Sequence, residues 1–191
     1  MPDWDRVYSE KTISAATPAD VLIDNMHLLP ATGEALDYAC GLAGNAMFLA
    51  QQGLQVSAWD LSEVAVEKIN KYSEKNKLDI SAQVYDLENS LPDIKNQFDV
   101  VVVSYFLHRE SLHYLYDLLK AGGLLFYQTF SGPQCNGEGP ARADFRLQKN
   151  ELLSVFSDMQ LLYYREDDIC SSDINARLNT SSGVTYFVAR K

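Results

Sequence analysis

Ala35-Leu-Asp-Tyr-Ala-Cys-Gly-Leu-Ala-Gly-Asn45 passes from a short apolar run through a glycine-containing turn into an apolar helix over residues 44–52. A strand, a tight turn and a helix in that order begin a βαβ unit. Gly53 stops the helix, and residues 54–59 alternate as a second strand. Ser62 then serves as N-cap for a helix carrying Val64, Val66, Ile69 and Tyr72. Residues 80–85 read as a third strand. Residues 98–104 are nearly all β-branched, which suits a central strand covered on both faces. A helix with Leu112, Leu115, Leu118 and Leu119 follows, ended by Gly122-Gly123, and residues 124–130 form a fifth strand. Upstream, residues 19–29 predict a helix stopped by Pro30. Downstream, residues 131–146 have loop composition, 151–156 are helical, and 159–164 and 184–189 are strand-like. The polar stretch 167–183 is long for a plain connection and reads as mobile or partly helical. The alternation predicts an α/β fold around a parallel sheet.

The chain has 191 residues, with 16 Lys+Arg against 26 Asp+Glu and a net charge of −10. That charge repels phosphate backbones and anionic lipid, so neither a nucleic acid nor a membrane is an expected partner. Hydrophobic residues make up 47% and charged residues 22%, the balance of an ordinary globular domain. A domain of this size buries roughly 70% of its unfolded surface and needs no metal to hold a core. Cys40, Cys135 and Cys170 are an odd set without Cys-x-x-Cys spacing, which reads as reduced thiols and a cytoplasmic location. The amino terminus has no apolar signal region, and the apolar runs are strand-length.

In open α/β sheets a ligand sits beyond the carboxyl ends of the strands. Strand one ends at Asp37 and the turn containing Gly41 and Gly44, where small residues let the backbone approach a ligand at a helix N-terminus. Strand two ends in Asp60, about 20 residues beyond, where a carboxylate accepts both ribose hydroxyls. Strand three ends at Asp86, placed to accept from an adenine amino group. Singly, each has an ordinary explanation: a tight connection, a solvated strand-end carboxylate, a turn residue. In succession they point to an adenosine site.

Residues 36–50, with Asp60-Leu-Ser62, Asp86-Leu87, Phe98-Asp-Val-Val-Val-Val103 and Leu119-Lys-Ala-Gly-Gly-Leu124, resemble the ordered motifs of class I S-adenosylmethionine-dependent methyltransferases. The match covers residues 33–131. Two departures are Ala39 and Ala43, which stand where that family has glycines, and a third is Ala121 in place of its usual proline. Trp4-Asp-Arg-Val-Tyr8, Phe106-Leu-His-Arg109 and residues 145–152 resemble the tellurite-resistance-type, small-molecule branch. The resemblance implies a Rossmann-like three-layer sandwich with a seven-stranded, mostly parallel sheet, in which residues 184–189 insert antiparallel. It implies a single domain over 1–191: an amino-terminal cap segment (1–32), a cofactor-binding core (33–131), and a substrate-side loop with carboxy-terminal strands (132–191). It further implies S-adenosyl-L-methionine as cofactor, held by Trp4, Tyr8, Asp37, Ala39, Gly41, Asn45, Asp60, Leu61, Asp86, Leu87 and Ser104, and a small-molecule methyl acceptor.

His108 and Arg109, just beyond strand four, are the candidates for catalysis and for holding an acceptor that is anionic or a soft nucleophile. The ordinary alternatives are a solvated ring and a helix charge paired with Glu110 or Asp117. Arg142 and Arg146 would add positive charge to the same mouth. Cys40, inside the turn, reads as a packing residue. A nicotinamide-dependent oxidoreductase also fits the turn and Asp60, and so does a module that binds an adenosyl ligand without catalysis.

Overall fold

Seven strands, β1 (Glu34–Tyr38), β2 (Gln55–Asp60), β3 (Ile80–Val84), β4 (Phe98–Ser104), β5 (Leu119–Phe130), β6 (Gln160–Asp167) and β7 (Val184–Arg190), form one sheet in the order β3-β2-β1-β4-β5-β7-β6. This computed structural model describes residues 3–95, 97–134, 137–167 and 183–191. The stretch expected to be a long connection, 167–183, therefore lies almost wholly outside the described residues, as do Cys135 and Cys170. Strands β1 to β5 pair in parallel. Strand β7 is antiparallel to both β5 and β6, the insertion that the resemblance implied.

Alternation along the strands divides the core into two layers. On one face Ala35, Val100, Val102 and Phe126 pack with residues of α2 (Asp20–Asp24), α3 (Gly44–Gln51) and α4 (Glu63–Asn76), chiefly Leu22, Leu49 and Ile69. On the other, Leu36, Val101, Val103 and Tyr127 pack with Leu112, Leu115 and Leu118 of α5 (Leu112–Leu118) and Leu152 of α6 (Glu151–Val155). Val100 to Val103 have no exposed surface, which is why that run is apolar throughout. Helix α1 (Trp4–Ser9), by contrast, buries no residue. The chain leaves β1 toward β2 and β3, then returns across it to β4 and β5. This reversal opens a crevice at the carboxyl ends of β1 and β4.

Two elements differ from expectation. The helix expected over 19–29 is the short α2 followed by a 3-10 turn, Met26–Leu28. The helix expected to run to Gly122-Gly123 ends at Leu118, and β5 begins at Leu119. Lys120 is drawn onto the sheet by Asp99, with Nζ 2.8 Å from Oδ2, and the register of β4 against β5 shifts there. The glycine pair is thus an irregularity within a strand.

Candidate active site

The turn after β1 is left-handed at three positions, Ala39 (φ 56°), Gly41 (φ 54°) and Ala43 (φ 60°). Alanine in that region costs about 1–3 kcal/mol, so strain is stored at this turn. The turn is also roofed closely. A Cβ on Gly44 would lie 2.2 Å from the Thr17 carbonyl oxygen, and one on Gly41 would lie 2.9 Å from the Tyr8 hydroxyl.

Asp37 is completely buried beneath the turn and does not line the cavity. Its oxygens accept from Asn45 Nδ2 (3.1 Å) and the Ala46 N–H (3.0 Å). Burial pushes its pKa up to about 7, against those two bonds. The expectation of direct ligand contact is therefore corrected: Asp37 orients Asn45 and the first turn of α3. Asp60 does line the cavity. Its Oδ2 accepts from the Gly41 N–H at 2.8 Å and its Oδ1 from the Ser62 N–H at 2.9 Å, while burial raises its pKa. Each carboxylate oxygen keeps a further lone pair for a ligand hydroxyl. Asp86, one strand further, accepts from the Asn89 amide and from the Glu88 and Asn89 N–H groups, which lower its pKa. It holds its own turn and faces the cavity together with Leu61 and Leu87.

These groups border a cavity of about 1080 Å³ that extends across the sheet ends. Trp4, Tyr8 and residues 10–12 and 15–17 form one wall. Helix α1 is held there by polar contacts to α4. Asp5 Oδ1 accepts from Ser62 Oγ (2.5 Å) and the Val64 N–H (3.2 Å). Lys68 Nζ donates to the carbonyls of Tyr8, Ser9 and Lys11 at 2.6–3.0 Å. Trp4 and Tyr8 stack with centroids 5.8 Å apart. At the opposite end, over β4 and β5, the lining is Ser104, Tyr105, Phe106, Thr129, Phe130, Pro140 and Phe145. Cys40 reaches the lining too, but burial holds its thiol protonated.

The expected positive mouth does not form. Among the lining residues the charged groups are Glu10, Asp60, Asp86 and Glu88 against Lys11. His108 lies outside the lining, with Nε2 3.2 Å from Glu110. Arg109 donates to both oxygens of Glu151 and to the carbonyls of Asp144 and Arg146, which turns it away from the cavity. Arg142 pairs with Asp144 at 2.8 Å on the surface. Arg146 is buried and donates to the carbonyls of Ser131, Gly132, Pro133, Glu138, Pro140 and Gly183, gathering the loop. Glu151 and these carbonyls are distant in sequence from the arginines that they bind, so spacing gives no sign of them. Tyr105 and Phe130 were not singled out in the sequence either. The one available signal was their place at the ends of β4 and β5.

A family model described as Tellurite resistance protein TehB matches residues 4–177. The chain is 27% identical over 169 residues to a protein of Haemophilus influenzae (strain ATCC 51907 / DSM 11121 / KW20 / Rd) named Probable S-adenosyl-L-methionine-dependent methyltransferase TehB; the match covers 84% of this chain and 57% of that one. It is 26% identical over 133 residues to the Ubiquinone biosynthesis O-methyltransferase of Xanthomonas axonopodis pv. citri (strain 306), covering 67% and 56%. The chain thus spans a little over half the length of these curated relatives. Its fold resembles the crystal structure of TehB from Haemophilus influenzae, with a TM-score of 0.72, 24% identity and coverage of 98% of this chain and 67% of that one. A methyltransferase from Aquifex aeolicus, described as SAM dependent, is similar at TM-score 0.70 and 16% identity, covering 100% and 99%. The chain belongs to the tellurite resistance protein TehB family.

Proposed function

We propose that this protein transfers a methyl group from S-adenosyl-L-methionine to a small-molecule acceptor. The observation that carries the reading is the charge of the cavity, four carboxylates and one ammonium. Bound S-adenosylmethionine would supply a methyl group on a cationic sulfur, open to in-line displacement. An acidic cavity favours that cation, and favours it over the neutral thioether left after transfer. The same charge opposes the pyrophosphate of a nicotinamide dinucleotide. The missing side chains at Gly41 and Gly44 are what let Tyr8 and Thr17 close over the turn.

In this reading Asp60 accepts the ribose hydroxyls and Asp86 the adenine amino group, with Leu61 and Leu87 against the base. Ala39, Gly41, Asn45 and Ser104 border the amino-acid end, and Trp4 and Tyr8 cover the cofactor. Asp37 positions Asn45. The chain's own contribution is to align two partners and exclude water; none of the lining residues is a histidine placed as a general base. Of the two acceptor types that the sequence suggested, the lining favours a soft nucleophile over an anion.

Calorimetric titration with S-adenosylmethionine, S-adenosylhomocysteine and NAD tests the reading. Binding of the first two and not the third is expected; tight NAD binding without the others would overturn it. Formation of S-adenosylhomocysteine in the presence of acceptor separates an enzyme from a binding module.

A further inference from the structure

Two buried amides tie the amino-terminal wall of the cavity to the end of β4. Asn45 accepts from the Ala19 N–H at its side-chain oxygen (2.8 Å) and donates from its nitrogen to Ser104 Oγ (3.0 Å). Gln128 makes the same bridge further along both segments. Its oxygen accepts from the Val21 N–H at 2.9 Å, and its nitrogen donates to the Tyr105 phenol oxygen at 2.8 Å. A backbone N–H can only donate, so neither amide can turn round. Asn45 belongs to the cavity lining, whereas Gln128 is buried behind it and lines nothing.

Both ends of the Gln128 bridge need holding. Residues 15–17 line the cavity just before Val21, and the Thr17 carbonyl lies over Gly44. Val21 stands at the start of α2, a helix of only five residues, where the first N–H groups have no partner within the helix. At the other end, Ser104 and Tyr105 line the cavity. The Tyr105 backbone is left-handed at φ 54°, a costly conformation for an aromatic residue, and half of that residue is exposed. Gln128 grips it twice, since its backbone carbonyl also accepts from the Tyr105 N–H at 2.8 Å.

Resting on the methyl-transfer reading, we propose that Gln128 is a positioning residue for the cofactor, a latch that sets the amino-terminal wall against Ser104 and Tyr105 before the cofactor arrives. Gln128 itself touches no ligand. Its effect is preorganisation: the wall already stands in place, so binding has less chain to order. Without the latch, a wall in place for about a tenth to a fifth of the time raises the apparent Kd five- to tenfold, by that fraction. The coupling is reciprocal, so a cofactor seated between wall and strand end steadies the bonds of Ala19 and Val21.

The test uses the full chain, S-adenosylhomocysteine as ligand, and the variants Gln128→Met and Gln128→Glu. Methionine fills a similar space with neither bond and should weaken binding about five- to tenfold by calorimetry. Glutamate keeps both bonds in either protonation state, because the carboxylate accepts from the phenol and the carboxylic acid donates to it. Its affinity should lie within about threefold of that of the unaltered protein. A side chain serving stability alone would lower the urea midpoint of Gln128→Met and leave the affinity of the folded variant unchanged. That result, or a Gln128→Glu variant as weak as Gln128→Met, would overturn the proposal. Hydrogen exchange supplies a readout that needs no variant. Saturating S-adenosylhomocysteine should slow exchange of the Ala19 and Val21 amides in the unaltered protein by about fivefold or more. Equal exchange with and without bound ligand would also overturn the latch. Failure of the unaltered protein to bind S-adenosylhomocysteine would instead overturn the methyl-transfer reading beneath it.

Discussion

Arg109 grips Glu151 with two parallel hydrogen bonds, Nε to Oε1 at 2.7 Å and Nη2 to Oε2 at 2.9 Å, and so ties the segment after β4 to the start of α6. The same guanidinium holds the carbonyls of Asp144 and Arg146, on either side of Phe145 in the cavity wall. Its charge is thus employed in fastening that wall. Arg109→Ala is expected to lower stability by about 1–3 kcal/mol, reduced by partial exposure of the pair. The change should appear in the urea midpoint, with S-adenosylhomocysteine affinity within about threefold. An unchanged midpoint with complete loss of methyl transfer would return Arg109 to the acceptor site.

Lys68 gathers three carbonyls at the carboxyl end of α1, a helix that buries nothing of its own. The covering position of Trp4 and Tyr8 therefore depends on this ammonium and on Asp5. Lys68→Met should weaken S-adenosylhomocysteine binding about five- to tenfold, less than a full charged hydrogen bond because Lys68 holds the covering helix rather than the ligand, and mostly through faster dissociation. Stopped-flow measurement of release checks it; identical release rates would mean that the segment is held by other contacts.

Asp60 accepts from two backbone N–H groups and faces the cavity, whereas the oxygens of Asp86 already hold their own turn. Asp60→Ala is expected to weaken S-adenosylhomocysteine binding by about 1.5–3 kcal/mol. Asp86→Ala should cost less, because water can replace part of one amino contact. Calorimetry on the folded variants decides, and the reverse order would put the ribose elsewhere.

Asp37 gives the protein an unusual pH dependence. Its folded pKa of about 7 stands above the ordinary 3.8, so the folded state retains a proton that the unfolded chain releases. Stability is then fully present below about pH 4 for this group and falls as pH rises to 7, by on the order of 4 kcal/mol. Asp60 shifts in the same direction. Asp5, Asp86 and Asp99 shift the opposite way, and their contributions are lost only below about pH 4. The urea midpoint should be lower at pH 8 than at pH 5, and Asp37→Asn should flatten the difference. A midpoint that rises over that range would contradict it.

The α/β class, the first five strands and the strand-end carboxylates were legible in the sequence because they depend on local periodicity and on turns. Apolar runs such as Phe98–Ser104 declare a doubly covered strand, and a carboxylate at a strand end needs only its position to be noticed. Ser62 likewise caps α4 by a contact three residues away, accepting from the Ala65 N–H at 3.1 Å. The antiparallel direction of β7 came from family resemblance, since alternation has no direction. What the tertiary structure alone decided is the use of long polar side chains. Arg109 and Arg146 reach partners up to 42 and 37 residues away, and Gln128 joins Val21 to Tyr105 across 107 and 23. A guanidinium or an amide is satisfied by whichever acceptors the folded chain brings within about 3 Å, and sequence spacing does not encode that proximity. Hence the four side chains placed near one mouth in the sequence became two wall ties, a surface pair and a contact to Glu110. The cavity end over β4 and β5 is lined instead by Tyr105, Phe130 and Phe145.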